Sequence, residues 1–101
     1  MINAEAVQRK FIEDRRLVIL RFLEEEPDYR MNVSLLQDAL DLMGHKVGRD
    51  VILADGSFLA DIGLITVEYV GDVQLFKLTS RGADVAQGRT KVPGVKRPSP
   101  K

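Results

Sequence analysis

The chain contains no cysteine and a single histidine, and it carries no net charge, its 15 basic residues being balanced by 15 acidic ones. Without cysteine there is no disulfide framework and no thiolate metal site, which agrees with a reducing compartment. The one histidine, His45, lies in a polar turn with no serine, cysteine or carboxylate at a recognisable motif spacing. It therefore reads as a surface or capping residue, and no enzyme is expected. No apolar run approaches the roughly 20 residues needed to span a bilayer. The opening MINAEAVQRKF lacks the apolar centre of a signal peptide, so a cytoplasmic protein with no membrane partner is expected. A Gly-rich phosphate loop is missing, and nothing implies a cofactor. Asp50, Asp55 and Asp61 share one predicted helix at spacings poor for converging ligands, so they read as a solvated face with no metal.

What is present is ordinary globular composition, 45% apolar and 30% charged over 101 residues. A chain of this size forms one domain and buries roughly 60 to 70% of its extended surface. The balanced charge conceals an asymmetry. The last stretch, GRTKVPGVKRPSPK, carries Arg89, Lys91, Lys96, Arg97 and Lys101, no acidic residue and three prolines. Residues 1–88 are left with 10 basic against 15 acidic groups. The expected organisation is a folded acidic domain over 1–88, followed by a flexible, disordered, Pro-rich basic tail over 89–101.

Within the domain, Val7, Phe11, Ile12, Val18, Ile19, Phe22 and Leu23 recur at helical spacing and predict an amphipathic helix over 5–26 with that stripe facing the core, ended by Pro27. After the link DYRMN, Ser34 with Gln37 matches a capping box that opens a second helix, with Asn32 as the rival cap and Gly44 just past its end. The turn His45-Lys46-Val47-Gly48 leads to a third helix from Arg49 to about Ile62, in which Gly56 costs roughly 1 kcal/mol against alanine. Val51, Ile52, Phe58, Leu59 and Ile62 form its inward side. Leu64 to Val70 and Val73 to Leu78 are β-rich runs joined by Gly71-Asp72, a pair suited to a type II′ turn. Pairing outward from that turn sets Val70 opposite Val73 and Ile65 opposite Leu78, and it gathers Ile65, Val67, Tyr69, Phe76 and Leu78 on one face, as packing residues rather than a base-stacking platform. Thr79 caps a last helix through Gln87.

This order, mainly α with a small β-hairpin, describes a winged helix-turn-helix, in which the third helix is the one usually placed in the major groove. The stretch VGRDVILADGSFLADIGLITVEYVGDVQLFKL resembles the third helix and wing of bacterial winged-helix regulators. The end, LTSRGADVAQGRTKVPGVKRPSP, resembles the C-terminus of small winged-helix (ArsR-like) proteins of Mu-like phages and prophages, with VPGVKRP its most distinctive piece. The resemblance covers most of the chain and implies a phage-encoded, DNA-associated protein, active in transcriptional regulation or phage DNA handling.

The residues themselves divide on DNA binding. The outward stripe of the third helix, Asp50, Leu53, Ala54, Ser57 and Asp61, carries none of the Arg, Lys, Asn or Gln that supply most base readout, and the wing tip is acidic. Phosphate contacts fall instead to Lys46, Arg49 and Arg81 and to the tail cations Arg89, Lys91, Lys96, Arg97 and Lys101, with Ser57 able to approach a base edge. Duplex DNA is thus the first expected partner. The competing reading is a protein-interaction adaptor for a phage or host protein, using an apolar patch of Leu53, Ala54 and Leu64, unless Leu53 packs on the hairpin. The long first helix could also serve a homodimer.

Overall fold

In the computed structural model, which describes residues 2–99, four helices and three strands follow in the order α1 (Ala4–Glu25), β1 (Arg30–Asn32), α2 (Val33–Leu42), α3 (Arg49–Asp61), β2 (Ile65–Val70), β3 (Val73–Leu78) and α4 (Ser80–Ala86). Three helices and a hairpin in this order make the expected winged helix-turn-helix, with β2 and β3 as the wing.

Asn3 opens α1, its side chain accepting from the Ala6 amide at 3.1 Å, which satisfies one of the donors a helix start leaves free. The buried residues of α1 are Arg15, Leu17, Ile19, Leu20 and Leu23. The periodic stripe is therefore corrected at its start, because Val7 and Phe11 are exposed. The reason is length. A helix of 22 residues is about 33 Å long, and the body it packs on covers only its C-terminal half.

The link DYRMN hides a strand. Tyr29 takes a positive φ of 59° and its carbonyl accepts from the Leu78 amide at 2.7 Å. From there β1 pairs antiparallel with β3, Arg30 opposite Lys77 and Asn32 opposite Leu75, so the sheet order is β1-β3-β2. Asn32 then caps α2, accepting from the Leu35 amide at 2.7 Å. The capping box at Ser34 is not used: the Ser34 hydroxyl accepts from Arg49, and Gln37 donates to the Val47 carbonyl.

The wing follows its expected register throughout, from Val70 opposite Val73 to Ile65 opposite Leu78. Gly71 has φ of 60°, the left-handed first position that a type II′ turn requires. Ile65, Phe76 and Leu78 are buried under the sheet, whereas Tyr69 is exposed because the wing tip extends past the core. Helix α3 lies close on this sheet, Gly56 against the Phe76 ring. Around that contact Leu20, Leu23, Leu36, Leu40, Ile52, Leu59, Leu64 and Val85 complete one core. Among the described residues no helix is long and apolar enough to cross a membrane.

Candidate nucleic-acid interface

The outward face of α3 is where a groove-binding helix would meet its target. Arg49, Asp50, Ala54, Ser57 and Asp61 are exposed along it, with Leu53 half-buried. Leu53 packs against the core and Leu64 is fully buried, so the anticipated apolar patch of Leu53, Ala54 and Leu64 does not form. Cations stand at both ends of the helix. Lys46 is exposed in the preceding turn, and Arg49 begins the helix with its guanidinium donating to the Ser34 hydroxyl at 3.1 Å. At the far end the exposed Arg81 donates to the Ile62 carbonyl at 3.2 Å. Ser57 lies exposed between them.

Two further cations escaped the sequence reading. Strand β1 brings Arg30 opposite Lys77 on the outward face of the sheet, where Arg30 also pairs with Glu68 at 3.1 Å. Alternation with the buried Phe76 and Leu78 already marks Lys77 as outward-facing. Arg30 had no such signal, because three residues after a strained turn carry no readable period. The wing tip itself is apolar and acidic, with Tyr69, Val70, Asp72 and Val73 exposed.

Behind α3 sits a buried ionic cluster that overturns the solvated reading of Asp55. Arg15 donates to the Asp55 carboxylate through Nε at 2.5 Å and Nη2 at 3.4 Å, and Arg16 Nε donates to the same carboxylate at 3.1 Å. Asp55 is 2% exposed and Arg15 6%. The burial follows from helical geometry: position 55 falls between Ile52 and Leu59 on one side and Phe58 on the other, so it points at α1 rather than at solvent. The cluster orients α3 on α1. Asp50 and Asp61 remain exposed, and among the described residues no three acidic or histidine side chains converge as metal ligands would.

The C-terminal segment departs most from expectation. Rather than being flexible from residue 89, it is held against the body through residue 96, with Val92 and Val95 buried in the core cluster. The Gly94 carbonyl accepts from Arg16 Nη1 at 3.1 Å, while the Arg16 guanidinium lies 3.8 Å from the centroid of the Phe58 ring. The Lys96 amide donates to the Glu13 carbonyl at 3.1 Å, and its ammonium to Asp14 at 3.3 Å. Two apolar residues spaced to reach the same groove outweigh the ordering entropy of a short Pro-containing segment. Arg89 pairs with Asp84 at 3.5 Å, whereas Lys91 and Arg97 are exposed and, among the described residues, make no ion pair. Lys101 lies outside the described residues.

Asp14 joins this segment to the turn before α3, because its second oxygen lies 2.7 Å from His45 Nε2. Partial burial pushes the Asp14 carboxyl up, but the hydrogen bonds from His45 and Lys96 and their charges outweigh it and hold the group below its ordinary value. His45 is thus a bridging residue between α1 and the turn, rather than a free surface side chain. Lys46 and Lys96 consequently sit on elements tied through one carboxylate, while Arg97 lies beside Gly88 at the end of α4.

No family model matches the chain. It is 52% identical over 89 residues to the uncharacterized protein gp26 of Escherichia phage Mu, covering 88% of this chain and 92% of that one. It is 43% identical over 60 residues to an uncharacterized protein of Haemophilus influenzae, covering 59% of this chain and 58% of the other. In structure it is similar to a transcriptional regulator from Clostridium thermocellum, with a TM-score of 0.64, 12% identity, and coverage of 88% and 84% of the two chains. That likeness is one of fold.

Proposed function

The chain belongs to the family of the phage Mu protein gp26, and from that premise we propose that it is a small phage or prophage DNA-binding protein of the cytoplasm, acting in transcriptional regulation or phage DNA handling. The observation that carries this reading is the open outward face of α3 with Lys46 and Arg49 at one end and Arg81 at the other. A helix of 13 residues is about 20 Å long. The major groove is about 12 Å wide, so end cations would meet the phosphates on opposite walls. Lys77 on the wing, and Lys91 and Arg97 on the C-terminal segment, extend the same kind of contact. Ser57 is the residue on the face suited to a base edge. With Asp50 and Asp61 beside it, binding would rest on phosphates more than on bases.

The test is a fluorescence-anisotropy titration of duplex phage DNA across a salt series. Each phosphate contact contributes about 0.9 to the slope of log affinity against log salt. Arg49→Ala and Arg81→Ala should each lower that slope by about 1 without changing sequence preference. Absence of binding at low salt would sink the reading.

A specific observation favours one alternative: past Arg49 at its start, the outward α3 face carries two aspartates that make no ion pair among the described residues and no Arg, Lys, Asn or Gln, beside an apolar and acidic wing tip. That surface suits a protein-interaction adaptor with a basic partner. Asp50→Lys with Asp61→Lys separates the two, since it should strengthen DNA binding in the first case and abolish partner capture in the second.

A further inference from the structure

Two candidate caps precede α2, and only one is used. Asn32 accepts from the Leu35 amide at 2.7 Å, which leaves the side chains of Ser34 and Gln37 free of the helix start. Both reach across to the α2–α3 connection instead. Gln37 Nε2 donates to the Val47 carbonyl at 3.3 Å, and the Ser34 hydroxyl accepts from Arg49 Nη1 at 3.1 Å. From the other side, His45 Nε2 lies 2.7 Å from the Asp14 carboxylate of α1. Residues 45, 47 and 49 are thus each tied to another helix, and Lys46 stands exposed between the first two ties. Arg49 is exposed as well, and its bond to Ser34 occupies one of the five guanidinium N–H donors, leaving four for a ligand.

We infer that Ser34 and Gln37 are positioning residues for the phosphate contacts proposed for Lys46 and Arg49, an inference that rests on the DNA-binding reading. A long cationic side chain, or the loop that carries it, loses conformational freedom when it settles on a phosphate. Here the backbone beside Lys46 and the guanidinium of Arg49 are held before any ligand arrives, so part of that ordering is already in place. Neither Ser34 nor Gln37 needs to touch DNA. Contact and positioning leave different marks on binding. Removing a cation removes a phosphate contact and lowers the salt slope, whereas removing a brace leaves the contact and weakens it equally at every salt concentration.

Anisotropy titration of duplex DNA over a salt series, with the full chain, reads this difference. Ser34→Ala and Gln37→Leu should each weaken binding about two- to tenfold at every salt concentration, with the wild-type slope. Ser34→Ala should have no effect in an Arg49→Ala background, and Ser34→Thr, which keeps a hydroxyl, should restore the affinity. Thermal unfolding separates structural damage: Asn32→Ala should lower the melting temperature and Ser34→Ala should not. Without DNA, the amide order parameters of Lys46 and Val47 should fall in Gln37→Leu from the rigid value of about 0.85. If the wild-type chain fails to bind at low salt, the DNA-binding reading fails and this inference with it. Wild-type affinity in Ser34→Ala, a Ser34→Ala effect that survives Arg49→Ala, or unchanged order parameters in Gln37→Leu would overturn the inference and leave that reading standing.

Discussion

Adding one methyl group at Gly56 should destabilise the protein, although local helix propensity says the opposite. Replacing glycine by alanine inside a helix is worth up to about 1 kcal/mol in favour of the helix. On propensity alone, Gly56→Ala would raise the melting temperature of a chain this size by about 4–8 °C. The structure reverses the sign. A Cβ at Gly56 would stand 2.7 and 2.8 Å from Cε1 and Cε2 of Phe76, with Cζ closer still. Phe76 is fully buried, so the ring has no solvent to retreat into. Overpacking of this kind costs about 1–3 kcal/mol, and the contact with a rigid aromatic ring belongs at the upper end. Net destabilisation of about 2 kcal/mol follows, a fall in melting temperature on the order of 10 °C. Thermal unfolding followed by circular dichroism reads this directly. Ala54→Gly, exposed on the same helix, is the control and should lose only about 1 kcal/mol. Shrinking the obstacle with Phe76→Leu in the Gly56→Ala background should recover part of the loss as a favourable coupling. A Gly56→Ala variant that melts at or above the wild-type temperature would refute the close approach of α3 to the sheet.

Three further outcomes are expected. Asp55→Ala strands two arginines at a buried site and should cost about 3–5 kcal/mol in urea unfolding, whereas Asp61→Ala on the exposed face should stay within about 0.5 kcal/mol of wild type. At Gly94, φ is 89° and a Cβ would stand 2.5 Å from Phe58 Cζ; Gly94→Ala should release the C-terminal segment, seen as faster tryptic cleavage after Lys91 and Lys96 while the body stays folded. Asp14, whose carboxyl is held below its ordinary value of 3.8, stabilises the fold above that value and loses the contribution as pH falls through its lower folded value. Asp14→Asn should therefore be less stable than wild type at neutral pH, and the gap should close below about pH 4. A gap that persists in acid would mean that packing, and not the carboxylate, is responsible.

How far the candidate site could be read from residues alone varied with the range of the interaction. The wing was legible to the register because Gly71-Asp72 and strict alternation are local signals, and a one-residue slip would have turned Phe76 and Leu78 to solvent. The third helix and its lack of base-reading side chains were legible for the same reason: 3.6-residue periodicity needs no partner. Strand β1 was not legible, since three residues after a left-handed Tyr29 have no period of their own and form a strand only because β3 offers them an edge.

Periodicity establishes which residues share a face, but not whether anything lies against that face. Val7 and Phe11 satisfy the apolar stripe of α1 and are left exposed because the body ends before they begin. Asp55 has the composition of a solvated residue and is buried because two arginines from α1 meet it. The basic C-terminal segment has the composition of a mobile tail, but Val92, Val95 and the Gly94 carbonyl find a groove between α1 and Phe58. Sequence by itself determined the four helices and the hairpin, their order, the wing register and the segregation of charge, all of which depend on neighbours close in the chain. Only the tertiary structure decided what each face meets, because burial and ion pairing at Asp55, Arg16 and Lys96 join residues some 40 to 80 positions apart.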